Sequence, residues 1–261
     1  MPAIGLGTYP MDDAEAGAAV VHAVEAGYRL IDTAENYHNE EGVGQGVARA
    51  GFPRAELFVT TKFNREWHSI EGVRTTWDHS ATRLGLDYID LMLIHWPNPG
   101  EGRYVEAWKG LVKLLHAGKV KAIGTSNFTP AQLREIIDAT GVVPDVNQIQ
   151  LSPWWPKAEE RAFHAEHGIV TESWSPLGKG ALLESEAVVA AAGRHGVTPA
   201  QAVLRWHVQL GLVPIPKTTD PARMAENIDV FGFELGSADM EAIGALAGNG
   251  PDAADPMAFG H

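Results

Sequence analysis

The sequence predicts a single (β/α)8 barrel spanning residues 1–261, and three observations carry that expectation. Short, almost continuously apolar runs alternate with segments of helical periodicity along the whole chain, the pattern of a parallel sheet covered on both faces. Eight such units fit into 261 residues, and barrels of this kind typically have about 250. Residues capable of chemistry recur at the C-terminal ends of the apolar runs, the rim where barrel active sites are built. A doubly wound open sheet is the alternative reading of the same alternation. No linker, shift in composition or repeat beyond the alternation divides the chain.

The elements follow in order. After a Gly-rich start over 4–9, a helix over 12–26 has Asp12 as its cap and Gly27 as its stop. An apolar strand over 28–32 ends in Asp32, inside the stretch YRLIDTAENY that leads to Tyr37. A helix over 40–50 is closed by Gly51 and Pro53, and a β-rich run over 57–61 leads into Lys62. Ile70, Val73, Trp77, Ala81 and Leu84 recur at helical spacing over 69–84 behind Ser69. A strand over 89–94 leads into His95, a helix over 104–117 stops at Gly118, and a strand covers 120–124. Thr129-Pro130 opens a helix over 129–139, followed by a strand over 145–149, a helix over 157–167 and a strand over 169–173. Helices over 185–195 and 198–210, a strand over 212–215, a helical turn over 222–227, a weak eighth strand over 228–231 and a helix over 237–247 complete the series. The tail, 248–261, is rich in Gly, Pro and Asp and is expected to be irregular.

Composition narrows the function classes. A net charge of −13 argues against a general nucleic-acid-binding role. The absence of cysteine removes disulfides, thiolate zinc sites and cysteine nucleophiles together. The start, MPAIGLGTYPM, lacks the charged and apolar regions of a signal peptide, and no apolar run is long enough to span a membrane. A cytoplasmic protein is expected.

Collected along the rim, the candidate residues are Asp32, Lys62, His95, Ser126 with Asn127, Gln148, Trp174 and Lys217, with Tyr37 just beyond the first strand. A carboxylate that closes a buried strand needs a partner, and Lys62 supplies one. Free tyrosine titrates near pH 10, too high for efficient proton transfer at neutrality. A neighbouring Lys62 ammonium is expected to stabilise the phenolate and lower that value, with Asp32 holding the lysine charged. His95 would orient a carbonyl beside Tyr37. The group suits proton donation in carbonyl reduction and proton removal in the reverse direction.

The motifs GLGTY, IDTAENYHNEEGVG, LMLIHWP, IGTSNF, NQIQ, SWSPLG and IPKTT, the last followed by Arg223 and Glu226-Asn227, occur in this order along essentially the whole chain. In them the chain resembles the aldo-keto reductases, and most of all their 2,5-diketo-D-gluconate reductase branch. The resemblance implies an NADPH-dependent reductase of small aldehydes, α-dicarbonyls or keto-sugars, with Asp32, Tyr37, Lys62 and His95 as catalytic tetrad and no metal. It assigns Ser126, Asn127 and Gln148 to the nicotinamide carboxamide and Trp174 to stacking on the nicotinamide ring. Leu177 and Gly178 match the pyrophosphate loop, Thr8 another cofactor position, Lys217, Thr218 and Arg223 the 2′-phosphate site, and Glu226 and Asn227 the adenine. Physical chemistry supports the 2′-phosphate group: Arg binds phosphate bidentately and Lys as a point charge, here in an otherwise acidic protein.

Tyr9, Trp67 and Trp96 are expected to line the carbonyl pocket, with the tail over 251–261 as a further wall; for Trp67 aromatic loop packing is an equal alternative. His68 is the one visible candidate for clamping a carboxylate substrate. Most relatives begin with a β-hairpin that plugs the barrel floor; here Met1 stands almost at the GLGT strand, so the hairpin is expected to be absent, at some expense in stability. Gly42, Gly44 and Gly46 imitate a dinucleotide fingerprint, but their spacing is GxGxG and they lie in a helix opening. His164 and His167 have the spacing of metal ligands but read better as a solvated helix face. A monomer is expected. Two rivals remain: a metal-dependent barrel hydrolase, for which too few strand-end ligands exist, and a non-catalytic NADPH-binding sensor or partner subunit.

Overall fold

The computed structural model describes residues 1–258 and Gly260. Its eight parallel strands are β1 (Leu6–Gly7), β2 (Leu30–Asp32), β3 (Phe58–Phe63), β4 (Ile89–Ile94), β5 (Val120–Ser126), β6 (Val146–Gln150), β7 (Val170–Trp174) and β8 (Val213–Ile215). They pair in sequence order. Gly5 N–H donates to Pro214 O at 3.1 Å and Gly7 N–H to Pro216 O at 3.0 Å, which joins the first strand to the last. The architecture is the expected α/β barrel.

The strand set differs from the expected series at its two ends. The weak eighth strand over 228–231 does not form; Ile228 ends a helix, and Val230 is buried in the core outside the sheet. The barrel is completed instead by two-residue β1 inside the Gly-rich start. A Cβ on Gly5, just before this strand, would lie 1.8 Å from the Leu30 side chain, so a larger residue there would have to displace Leu30. The glycine that permits the approach also removes the β-propensity by which a strand is recognised. Residues 1–5 form no hairpin.

The helices are α1 (Asp13–Ala26), α2 (Glu40–Arg49), α3 (Ile70–Leu84), α4 (Tyr104–His116), α5 (Pro130–Thr140), α6 (Ala158–His167), α7 (Glu186–His195), α8 (Pro199–Gln209), α9 (Pro221–Ile228) and α10 (Ser237–Gly244). Asp12, Thr129 and Thr198 each close a capping box, with Glu15, Gln132 and Gln201 reaching back. Among the described residues no helix is long and apolar enough to cross a membrane.

The glycines of the GxGxG segment lie within α2 and serve packing. A Cβ on Gly42 would lie 2.0 Å from Asp13 O of α1, and one on Gly44 2.1 Å from Leu84 O of α3. Both obstacles are backbone and cannot rotate away. Gly44→Ala is expected to cost about 1–3 kcal/mol through overpacking, read as a lower urea midpoint; an unchanged midpoint would disprove this account of the segment.

Side chains alternate along each strand, and the inward series share one plan. Leu30, Leu91, Leu93, Val146, Val213 and Ile215 fill the lower barrel with Phe58 and Val170 packed against them. Two residues further along the same faces come Asp32, His95, Gln148, Lys217 and Glu172, while Phe58 is followed by Thr60 and Lys62. Each series is apolar below and polar at the rim, which brings residues far apart in sequence to one level.

Candidate active site

Lys62 is the centre of the polar level. Its ammonium donates to Asp32 Oδ1 at 2.6 Å, to Thr33 O at 3.0 Å and to Tyr37 Oη at 3.4 Å. Lys62 and Asp32 are both buried, and Tyr37 is half-buried on the short 3-10 turn Glu35–Tyr37. The Tyr37 ring meets His95 edge-on, with centroids 5.8 Å apart. The four residues of the expected tetrad are therefore brought together. Thr8 anchors the level from β1 through N–H and hydroxyl bonds to Asp32 O.

Burial favours a neutral lysine, but the Asp32 carboxylate and Tyr37 outweigh it and hold Lys62 above its ordinary value. Tyr37 corrects the sequence expectation. Lys62 does pull its pKa down, yet burial outweighs that pull and Asp32 adds to it, so the phenol lies above its ordinary value rather than below. Tyr37 is thus held in its protonated form at neutral pH.

Below Trp174 the structure adds an acid that lies inside β7 and not at its end. Glu172 is completely buried. Its Oε2 accepts from Gln148 Nε2 at 2.8 Å, and the same nitrogen donates to Asp32 Oδ2 at 2.8 Å. Burial and the nearby Asp32 carboxylate push Glu172 up to about 8. A glutamate inside an otherwise buried strand, two residues before Trp174 and so on the same face, was the available signal.

The rim residues assigned to the nicotinamide form one bonded group. Ser126 Oγ donates to Gln148 O at 2.8 Å and accepts from Asn127 Nδ2 at 3.0 Å; that amide also donates to His95 O at 3.1 Å. Trp174 Nε1 donates to Asn127 Oδ1 at 2.9 Å, which fixes the half-buried indole. Asn127 sits at a φ of 64°, a left-handed conformation that Asn tolerates better than most residues. The donors of Ser126, Asn127 and Gln148 are all engaged within the protein, leaving spare acceptor capacity on Ser126 Oγ, Asn127 Oδ1 and Gln148 Oε1. Three acceptors beside a tryptophan suit a carboxamide NH2 adjoining a flat ring, so the donor set fits the nicotinamide end of NADPH.

Beyond β8, Lys217 is exposed and Thr218 buried, with Thr218 Oγ1 accepting from Asp220 N–H at 3.1 Å. Arg223 stands 75% exposed in the first turn of α9, loosely paired with Asp220 at 3.8 Å, and is therefore open to an anion. Glu226 accepts from Thr198 Oγ1 at 2.7 Å and Asn227 is buried in the same helix. Leu177 and Gly178 open the turn after β7, Gly178 at a φ of 55° with Trp154 against it.

Three aromatic placements stand apart. Tyr9 is 61% exposed and stacks obliquely on Tyr37 with centroids at 5.0 Å. Trp96 lies between His95 and Trp174, at 6.4 Å and 6.5 Å. Trp67 instead packs its ring on His79 of α3 at 5.5 Å and donates Nε1 to Glu35 Oε1 at 3.0 Å, the loop-packing alternative. Of the tail, Gly260 lies against Asn98 and Ala254 N–H bonds Gln150 Oε1 at 2.7 Å; Phe259 and His261 lie outside the described residues.

Two histidine expectations are corrected. His68 is buried edge-on against Phe63, and burial lowers its pKa to about 4, leaving it neutral and unsuited to clamp a carboxylate. His164 is fully buried rather than solvated, bonded to Thr171 Oγ1 at 2.8 Å and Asn147 Nδ2 at 3.0 Å, because it faces β6 and β7 from α6. Among the described residues no cluster of potential metal ligands occurs.

A parallel barrel with a buried Asp–Lys pair at a tyrosine, and a carboxamide-shaped set of acceptors beside a tryptophan, is the site of an oxidoreductase. Comparison with known proteins specifies the family. The aldo/keto reductase family profile matches residues 3–247, and the chain belongs to that family. It is 50% identical to the 2,5-diketo-D-gluconic acid reductase B of a Corynebacterium strain, over 93% of this chain and 88% of that one. The crystal structure of Gox0644 in its apo form superposes with a TM-score of 0.95 at 47% identity, covering 100% of this chain and 95% of that one. A mutant of Gox0644 in complex with NADPH matches equally well, with a TM-score of 0.95 at 46% identity over the same shares of the two chains.

Proposed function

We propose that this protein reduces small aldehydes, α-dicarbonyls or keto-sugars to alcohols, with NADPH/NADP+ as its cofactor and Tyr37 as general acid. The observation that carries the reading is the convergence of Asp32, Tyr37, Lys62 and His95 around one ammonium group. When bound, NADPH supplies the hydride that adds to the carbonyl carbon. Tyr37 gives its proton to the carbonyl oxygen as negative charge develops there, and Lys62 stabilises the phenolate left behind. Asp32 keeps Lys62 charged and aimed, and His95 orients the carbonyl. Ser126, Asn127 and Gln148 take the carboxamide, Trp174 backs the ring, and Leu177 and Gly178 lie at the pyrophosphate. Thr8 supports this end of the cofactor through Asp32, and Glu226 and Asn227 adjoin the adenine. Tyr9 and Trp96 border the substrate, and Trp67 braces the turn that carries Tyr37 through Glu35. The barrel acts as a single catalytic domain, a cytoplasmic monomer.

The test follows NADPH consumption over a panel of aldehydes, α-dicarbonyls and keto-sugars, wild type beside Tyr37→Phe. Turnover in the wild type alone, with NADPH bound by both, supports the reading and ranks the substrates. Binding without turnover in either would replace it with that of a cofactor-sensing subunit.

Lys217, Thr218 and Arg223 receive the 2′-phosphate. Arg223→Ala is expected to weaken NADPH binding about 10–100-fold, the worth of a charge-assisted hydrogen bond, and to leave NADH binding unchanged. An unaltered ratio of the two affinities would remove Arg223 from the phosphate site.

A further inference from the structure

Glu172 is an acid that the proton-transfer steps do not use, placed inside the barrel two residues below Trp174. Among the described residues it makes no ion pair, and its Oε1 has no hydrogen-bond partner. Its one bond is to Gln148 Nε2, and the second hydrogen of that nitrogen goes to Asp32. A primary amide has two N–H groups and one carbonyl. With both N–H groups held by carboxyls, Gln148 is left with its oxygen to offer. The flipped amide would set that oxygen against the Asp32 carboxylate, and against Glu172 as well once its proton is lost.

The groups facing Glu172 are few. β2 contributes Asp32, β3 contributes Lys62 and β6 contributes uncharged Gln148. On the other side β8 contributes only Val213, Pro214 and Ile215. The Lys62 charge is matched by Asp32 at 2.6 Å. Ionisation of Glu172 therefore changes the net charge beneath the nicotinamide position by one negative unit.

We propose that Glu172 is a positioning residue that holds the Gln148 amide in one orientation and, by gaining or losing its proton, sets the preference of the site between oxidised and reduced cofactor. This rests on the reading that the rim binds NADP(H). Oxidised nicotinamide carries a positive charge and reduced nicotinamide none, so a carboxylate below the ring favours only the oxidised form. Burial holds the Glu172 proton to about pH 8, which puts the change within the range of ordinary buffers. Below it the acid is neutral and indifferent to the ring's charge; above it NADP+ gains on NADPH.

Dissociation constants of NADPH and NADP+ are measured by tryptophan fluorescence quenching between roughly pH 6 and pH 10, a span that brackets titration of a raised carboxyl. The phosphates are identical in the two nucleotides, so their titration cancels in the ratio. In the wild type the ratio should shift toward NADP+ on the order of tenfold across this span, the size of one charge–charge interaction in a partly screened interior. In Glu172→Gln it should stay at its low-pH value throughout. A wild-type ratio that does not move with pH overturns the proposal without recourse to any variant. A variant that keeps the wild-type dependence also overturns it, assigning the titration to another group. If neither nucleotide binds at any pH, the reading of the rim as an NADP(H) site fails and takes this one with it, so the two failures are distinguishable.

Discussion

Replacing Tyr37 with phenylalanine is expected to lower kcat/KM for carbonyl reduction by about 10²–10⁴-fold, the usual contribution of a positioned general acid. The substitution removes one oxygen, whose hydrogen-bond partner in the structure is Lys62 Nζ. The edge-on contact with His95 and the stacking on Tyr9 survive in the phenylalanine ring. NADPH affinity should therefore stay near that of the wild type, and stopped-flow separation of binding from hydride transfer checks this. The pH dependence has a definite sign. A general acid works only while protonated, and burial holds Tyr37 above the ordinary tyrosine value. Reduction should accordingly hold its rate through neutrality and decline only on the alkaline side, whereas alcohol oxidation, which needs the phenolate, should rise with pH. A reduction rate that fell as pH rose through neutrality would place the transferred proton on another group.

Lys62→Met is the second large effect, because it acts on stability and activity together. It leaves the buried Asp32 carboxylate without its cation, beside Glu172 and within the polar level of the barrel. Breaking a buried pair in this way costs about 3–5 kcal/mol, since the remaining charge keeps its desolvation penalty and loses its compensation. The urea midpoint should fall accordingly. Activity should fall as well, since nothing then stabilises the phenolate as Tyr37 loses its proton. The double variant Asp32→Asn, Lys62→Met separates the two roles: much of the stability should return, because no unpaired charge remains, while the activity should not. If the single variant were as stable as wild type, Asp32 would have to be neutral or otherwise compensated, and the pairing would need revision.

How much of this was legible in the sequence depended on whether the signal was local. Asp12, Ser69 and Thr129 cap their helices as expected because a cap bonds backbone groups only a few residues away. Asp32, Lys62 and His95 stood out because a charged or titratable group at the end of an apolar run conflicts with its own surroundings. Leu6–Gly7 was legible as a strand only through the resemblance, because its evidence lies in its partners Ile31 and Asp32, distant in sequence but paired in the barrel. His164 was misjudged for a similar reason: its own helix gives no sign that Thr171 and Asn147 wait opposite it.

The sequence by itself determined the alternation of elements, hence the barrel, and the types of residue at its rim, because inward and outward positions are set by strand periodicity alone. Only the tertiary structure decided how those residues act on one another. It placed the Lys62 ammonium 2.6 Å from Asp32 and 3.4 Å from Tyr37, raised the phenol where proximity to lysine alone implied lowering, and set Glu172 behind Gln148. Charges and desolvation depend on distances across the barrel, and those distances exist only after eight strands from distant parts of the chain have closed into one ring.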